Sequence, residues 1–245
     1  DLAIIGGGIT GAGVARDAAS RGMKVALVEA RDYAEGTSSR SSKLIHGGLR
    51  YLENFEFGLV YEALSERRLL FEIAPHLVHP LRFVLPIFES SRVGMFKMGM
   101  GMWAYDILSL FEAPKMHERL NVEKAMERLP VLAPEGLLGA YEYSDAYMDD
   151  DRLVLETLRS ANDLGAHCVN FVKAKTCKTS EGGSIHALDC EDVLTGEGFT
   201  LKAKHFVSSV GPWTDELGSN FFPQWKNILR PSKGIHLTIE KSKLP

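Results

Sequence analysis

A short apolar strand, Asp1-Leu2-Ala3-Ile4-Ile5, runs straight into Gly6-Gly7-Gly8-Ile9-Thr10-Gly11. A second apolar run, Lys24–Glu29, ends in a carboxylate about 20 residues further on, the spacing of a β-α-β unit that binds a dinucleotide. Gly6 permits the tight turn, Gly8 lets backbone approach a diphosphate, and Gly11 lets the following helix pack closely on the sheet. The helix expected from Ile9 to about Ser20 aims its N-terminal N–H groups and the positive end of its dipole at that diphosphate. Glu29 can accept both ribose hydroxyls and would repel a 2′-phosphate, which selects FAD or NAD over NADP. A glycine turn alone is a weak signal. Here the strand before it, the helix carrying Val14, Ala15, Ala18 and Ala19, and the second strand stand in register.

With 245 residues and 45% hydrophobic content, the chain can fill a core in one large or two modest domains of a globular, soluble class. A net charge of -4, with no run of like charges, argues against a nucleic-acid surface. Cys168, Cys177 and Cys190 show no C-x-x-C spacing and read as reduced core or strand residues in a reducing compartment. The histidines do not cluster at metal-ligand spacing, so no metal is expected. The chain begins without methionine and enters a strand at once, leaving no n-region or cleavage site to read as a signal peptide. The most apolar stretch, Val93 to Phe111, carries Lys97 and Asp106 and makes a poor transmembrane span. As a helix it could rest in a membrane interface on Met95, Met98, Met102 and Trp103; packing in a core or subunit contact is the favoured alternative.

Further along, Tyr33–Ser42 reads as a loop. Leu59–Ala74 reads as an amphipathic helix with Val60, Ala63, Leu64, Leu70 and Phe71 on one face and Glu62, Glu66, Arg67 and Arg68 largely opposite. A strand is expected at Arg82–Phe88 and a short helix over Asn121–Leu129, within an otherwise mixed pattern to Tyr147. Asp149 or Asp150 caps a helix whose C′ residue is Gly165. Strands follow at His167–Val172, Ile185–Cys190, Phe199–Lys202 and His205–Val210, with a hairpin turn at Thr195-Gly196. These later elements are expected to extend the sheet that began at residue 1, so the region between is an insertion. A nucleotide fold interrupted in this way favours a flavoprotein over an NAD dehydrogenase, which usually keeps its β-α-β repeats contiguous.

The segment from Gly36 to Tyr51 holds five serine or threonine hydroxyls, two arginines, a lysine and a histidine, and no acid. Hydroxyls and backbone N–H groups can meet phosphate oxygens there, and Lys43 or Arg40 can neutralise the remaining charge. Gly47-Gly48 would let the chain pass flat against a planar ring.

The run Ser38-Ser39-Arg40-Ser41-Ser42-Lys43-Leu44-Ile45-His46-Gly47-Gly48-Leu49-Arg50-Tyr51-Leu52-Glu53 resembles the signature of FAD-dependent, quinone-linked sn-glycerol-3-phosphate dehydrogenases, within the glycine oxidase/D-amino-acid oxidase-like superfamily. Ala74-Pro75-His76-Leu77, Glu142-Tyr143-Ser144-Asp145, Asp149-Asp150-Asp151-Arg152-Leu153-Val154 and Gly211-Pro212-Trp213 are similar to further stretches of that family. The resemblance implies an α/β, Rossmann-like FAD-binding domain with an inserted α+β substrate or cap region, in a chain that matches only the family's N-terminal half. The divisions expected are 1–80 and 149–215 for the two parts of the FAD-binding domain, 81–148 for the insertion, and 216–245 for a return to the substrate region. Motif and resemblance together assign FAD to Gly6, Gly8, Ile9, Thr10, Gly11, Glu29, Ala30, Arg31, Thr37, Ser38, Ser41, Ser42, Lys43, Leu44, Ile45, His46, Gly47, Val172, Ser209, Gly211 and Trp213. Arg40 stands where the family suggests a small residue.

For the chemistry, the resemblance implies oxidation of glycerol 3-phosphate to dihydroxyacetone phosphate by hydride transfer to flavin N5, with electrons passing to quinone. The substrate's phosphate and hydroxyls are expected at Arg50 and Tyr51. His46 is the first candidate for the base that takes the hydroxyl proton and His236 the second. An ion pair of Arg50 with Glu53 is the structural alternative to its phosphate role. The resemblance further suggests a peripheral site on the inner face of the cytoplasmic membrane and leaves room for a homodimer. A flavin oxidase using oxygen and a catalytically silent FAD-binding fragment remain as rival readings.

Overall fold

The computed structural model describes residues 1–232 and 234–243. In chain order the elements are β1 (Leu2–Ile5), α1 (Ile9–Ser20), β2 (Val25–Val28), β3 (Leu44–Ile45), α2 (Phe57–Ile73), β4 (Val78–Phe88), α3 (Met95–Leu108), β5 (Glu118–Leu120) and α4 (Val122–Arg128). There follow β6 (Leu137–Met148), α5 (Asp150–Asp163), β7 (His167–Val169), β8 (Val172–Thr179), β9 (Ile185–Asp192), β10 (Gly198–Lys202), β11 (His205–Ser208) and α6 (Thr214–Phe221). The chain forms two compact units, Asp1–Ser42 with Asp150–Gly234, and Lys43–Asp149 with Ile235–Pro245.

The first unit is built on a parallel sheet of order β11-β1-β2-β7. β1 is apolar at every position because both faces are covered. Leu2 and Ile4 face a cluster made with Ala12 and Ala15 of α1 and Val154, Leu158 and Ala161 of α5. Ala3 and Ile5 face a second cluster with Val172, Ala174, Leu188 and Cys190. The small buried residues of α1, Gly11, Ala12, Ala15, Ala18 and Ala19, let that helix lie close to its neighbours.

Two expectations change in this unit. The meander β8-β9-β10 does not extend the parallel sheet: it is a separate antiparallel sheet that packs on it through the second cluster. The strand expected over His167–Val172 divides into β7 and β8, with Phe171 at φ +56° between them. β7 continues the parallel sheet beside β2, and β8 opens the meander. All three cysteines lie in strands and are free.

The second unit is organised around β6, a strand of 12 residues that pairs antiparallel with β3, β4 and β5. No alternation announces β6, because Glu142, Ser144 and Asp145 are buried in its middle. Helices α2 and α3 contribute Val60, Leu64 and Tyr105 to one cluster, and Met102 joins Ile87 and Tyr141 in another. Residues 43–80 belong to this unit, so the division falls at Ser42/Lys43, where the sequence placed it after residue 80. The physical reason is that β3 pairs with β6 and α2 packs its apolar face within this unit's own core.

Candidate functional site

At the tip of β1, the glycine turn brings three parts of the first unit together. Gly6 has φ +108°, and a Cβ there would lie 2.6 Å from the Ser209 carbonyl oxygen. A Cβ on Gly11 would lie 1.9 Å from the Gly6 carbonyl oxygen, so only glycine allows α1 to start this close to the strand. Ser209 closes the turn from β11, its hydroxyl donating to the carbonyls of Ile5 and Gly6 at 3.1 and 3.2 Å.

Glu29 stands beside this turn. Its Oε2 accepts the Gly7 N–H at 2.7 Å and its Oε1 accepts the Arg31 N–H at 2.9 Å. Each carboxylate oxygen has two acceptor positions, so one on each side remains for a ribose hydroxyl. Val172 supports the same point through its backbone N–H, which donates to the Glu29 carbonyl at 2.8 Å.

The first N–H groups of a helix lack intrahelical acceptors and carry its positive dipole end. At α1 the Ile9 N–H donates to the Ser38 hydroxyl at 3.0 Å, which places the serine-rich loop against the helix start. Gly8 is half-buried there, and a Cβ added to it would lie 3.3 Å from the Ser38 Oγ. Ile9 and Thr10 are exposed. Backbone donors, a serine hydroxyl and a carboxylate aimed at ribose hydroxyls fit the adenosine diphosphate portion of a dinucleotide.

Other cofactor candidates in this unit take protein partners. Arg31 pairs with Glu35 at 2.9 Å and lies over the Trp213 ring at 5.3 Å, and Trp213 in turn covers Gly36. Arg40 donates to the Glu35 carbonyl at 2.6 Å, which gives it a structural partner in the loop. Ser41 hydrogen-bonds the Asp150 carboxylate. Gly211 opens a short 3-10 turn at φ +53°, Ala30 is half-buried, and Thr37 and Ser42 are exposed.

In the second unit, Leu44 and Ile45 form β3, and His46 follows it, exposed. Lys43 pairs with Asp149 at 3.2 Å. A segment without acids in sequence is therefore answered by Asp149 and Asp150, which the fold brings to it. Arg50 and Tyr51 are exposed on a 3-10 turn, Leu49–Asn54. Glu53 pairs with Arg92, so the expected alternative of an Arg50–Glu53 pair is replaced by that one. His236 lies on exposed chain outside any helix or strand.

Gly47 is explained by packing on protein. A Cβ there would lie 2.4 Å from Leu64 Cδ2 and 2.6 Å from the Tyr105 hydroxyl. A Cβ on Gly48, at φ +69°, would meet the Tyr51 ring at 2.3 Å. The flat passage over a ring expected from this glycine pair thus has a nearer cause.

Sequence reasoning missed the buried group behind Gly47. The Gly47 N–H donates to the Tyr105 hydroxyl at 2.8 Å, and that hydroxyl donates to Asp145 Oδ1 at 2.8 Å. Arg67 pairs with the same carboxylate and donates to the Ser144 carbonyl at 2.9 Å. Arg67, expected on the polar face of its helix, is 1% exposed, as is Asp145. Burial pushes the Asp145 carboxyl above its usual range against the pull of Arg67 and the Tyr105 hydroxyl. Burial, aided by the Asp145 charge, also raises the Tyr105 phenol, so it remains a donor. The only signal available in sequence was the Glu142–Asp145 stretch, whose pattern does not reveal a role.

α3 separates the two readings of the methionine-rich stretch. Met102 is fully buried, and Met95 and Met98 pack on the same cluster. Phe96, Met100, Trp103 and Ile107 are exposed and line a groove of about 470 Å³ with Arg119 and Tyr141. The three methionines therefore pack in the core, as the favoured reading had it, and a different set of side chains, with Trp103 among them, makes the outer face.

The family model described as DAO, FAD dependent oxidoreductase, matches residues 1–245. The chain is 40% identical over its whole length to the aerobic glycerol-3-phosphate dehydrogenase of Staphylococcus aureus strain MRSA252 and spans 44% of that protein. Among solved structures, the glycerol-3-phosphate dehydrogenase from Bacillus halodurans complexed with FAD matches at TM-score 0.69 and 34% identity, covering 90% of this chain and 36% of that one. Glycine oxidase from Geobacillus kaustophilus matches at TM-score 0.60 and 22% identity, covering 90% and 57%, a likeness of fold.

Proposed function

We propose, starting from the fact that this chain belongs to the DAO family of FAD-dependent oxidoreductases, that its first unit holds the adenosine diphosphate portion of FAD and that the full protein oxidises sn-glycerol 3-phosphate to dihydroxyacetone phosphate. The observation that carries the reading is the Glu29 carboxylate, fixed by the Gly7 and Arg31 N–H groups beside the start of α1. The substrate assignment draws on the 40% identity to a glycerol-3-phosphate dehydrogenase across all 245 residues.

FAD, when bound, supplies the acceptor for the hydride leaving C2. Glu29 takes the ribose hydroxyls, and the backbone donors of the glycine turn with Ser38 take the diphosphate. Arg50 offers a guanidinium fork to the substrate phosphate, and Tyr51 a hydroxyl beside it. His46 accepts the proton of the C2 hydroxyl as the alcohol becomes a ketone, with His236 as the second candidate for that base.

Quinone as electron acceptor, peripheral attachment to the inner face of the cytoplasmic membrane, and homodimerisation complete the proposal. Among the described residues no helix is long and apolar enough to cross a membrane. The outward side chains Phe96, Met100, Trp103 and Ile107 supply an apolar face for such attachment.

The direct test is a visible absorption spectrum of the purified full-length protein, taken anaerobically before and after glycerol 3-phosphate. A flavin band that bleaches on addition is the expected result. Colourless protein, or a band unmoved by this substrate, would sink the reading. Peroxide formation in air, in place of quinone reduction, would reassign the acceptor to oxygen.

A further inference from the structure

We propose that Tyr105, oriented by the buried Arg67–Asp145 pair, is a positioning residue that pins the His46-Gly47-Gly48 turn through the Gly47 N–H. The consequence for catalysis rests on the function proposed above; the pinning itself does not.

Gly47 is buried, and a buried N–H without an acceptor costs about 1–3 kcal/mol. Its near acceptor is the Tyr105 hydroxyl of α3, 58 residues away in sequence, with Asp145 Oδ1 of β6 as a second, longer one at 3.4 Å; neither is neighbouring backbone. The direction of the bond is dictated by the group behind it. An ionised Asp145 can only accept, so the Tyr105 hydrogen points to the carboxylate and a hydroxyl lone pair is left facing Gly47. Arg67 neutralises the carboxylate and anchors it to the β6 backbone through the Ser144 carbonyl.

Only a residue without Cβ can come this close, since the added carbon would lie 2.6 Å from the Tyr105 hydroxyl. On either side of the pinned amide, His46 and Arg50 are exposed side chains, so this turn sets the placement of both. A buried ion pair contributes little net stability against a well-packed apolar substitute, and a chain of donors that starts at one backbone amide and ends on a fixed carboxylate specifies a conformation.

The experiment compares Tyr105→Phe with Tyr143→Phe in the full-length, FAD-loaded protein. Tyr143 is a neighbouring ring in edge contact with Tyr105 at 5.9 Å, and its loss of a hydroxyl serves as the control. Amide hydrogen exchange of the peptide spanning residues 44–51 is followed by mass spectrometry without substrate. Tyr105→Phe is expected to speed exchange there by about 3- to 10-fold, the equivalent of one ordinary hydrogen bond, with the control unchanged. The double variant Arg67→Met/Asp145→Leu, which removes the fixed acceptor and leaves no unpaired buried charge, should give the same signature and carries the test if Tyr105→Phe does not fold. In turnover, kcat should fall about tenfold with KM for glycerol 3-phosphate changed by less than about threefold, as misplacement of a reacting group predicts.

Exchange at 44–51 equal to that of the control overturns the pinning. Faster exchange with unaltered kcat overturns the positioning role. A wild-type protein that leaves glycerol 3-phosphate unoxidised sinks the function reading alone, because exchange is read without substrate and still decides whether the turn is pinned.

Discussion

The Gly7 N–H donates to the Glu29 carboxylate at 2.7 Å, tying the glycine turn after β1 to the carboxylate that ends β2. The Arg31 N–H occupies the other oxygen at 2.9 Å, so two donors converge on two acceptors. An amide in that place must turn its NH2 toward one of them. Glu29→Gln should therefore lose FAD affinity almost as fully as Glu29→Ala, by about tenfold or more, as loss of a charge-assisted hydrogen bond predicts. Titration of the apoprotein with FAD, followed by flavin fluorescence, measures it, and a Gln variant binding as tightly as wild type would contradict this account of Glu29.

Two glycines of α1 differ in what surrounds them. A Cβ at Gly11 would strike the Gly6 carbonyl oxygen at 1.9 Å, whereas a Cβ at Gly13 would meet nothing within 4 Å. Gly11→Ala should destabilise the protein by more than about 3 kcal/mol. Gly13→Ala should stabilise it by about 0.5–1 kcal/mol through helix propensity. Thermal melts of the two variants should move in opposite directions.

Arg50 makes no ion pair among the described residues, since Glu53 pairs with Arg92. Arg50→Lys should leave the melting temperature unchanged and raise KM for glycerol 3-phosphate about tenfold, because an ammonium cannot reproduce a bidentate phosphate contact. An unchanged KM would rule that contact out.

Arg67 and Asp145 are both almost wholly buried. Replacing Arg67 by Met strands a carboxylate in the interior and should cost about 3–5 kcal/mol. Adding Asp145→Leu to the same protein should recover much of that loss, as chemical denaturation of single and double variants would reveal.

The Asp215 carboxylate accepts the backbone N–H groups of Ile228 and Leu229 and the Trp225 indole N–H at 3.0–3.1 Å. These bonds, that of Ile228 first, hold its carboxyl below the usual aspartate range. A depressed folded value means that the stabilisation is present above the unfolded pKa and is lost as pH falls through the folded one. The segment around residues 225–229 should therefore loosen only in strong acid. Amide exchange at Ile228 and Leu229 reads the transition, and Asp215→Asn should abolish its pH dependence.

The nucleotide-binding start of the chain was legible because its determinants are local. β1, the glycine turn, α1 and Glu29 are set by spacing within about 30 residues and by what backbone can do without a Cβ. The caps and punctuation were legible for the same reason: Asn121 accepts the Lys124 N–H at 2.9 Å at the start of α4, and Gly165 takes φ +93° after α5. β6 was not, since its buried polar residues break the alternation that marks a half-buried strand.

What the sequence by itself determined is the β-α-β cradle and the carboxylate that closes it, because steric and hydrogen-bonding demands over short spans leave few other conformations. Tertiary structure alone decided that Arg67 is an interior residue, that Asp149 and Asp150 answer a cationic loop, and that Tyr105 meets Gly47. Those outcomes depend on which charges and donors the fold brings together across 58 to 109 positions of chain. A buried charge is tolerable only once its partner has arrived, and no periodicity in either segment records that meeting.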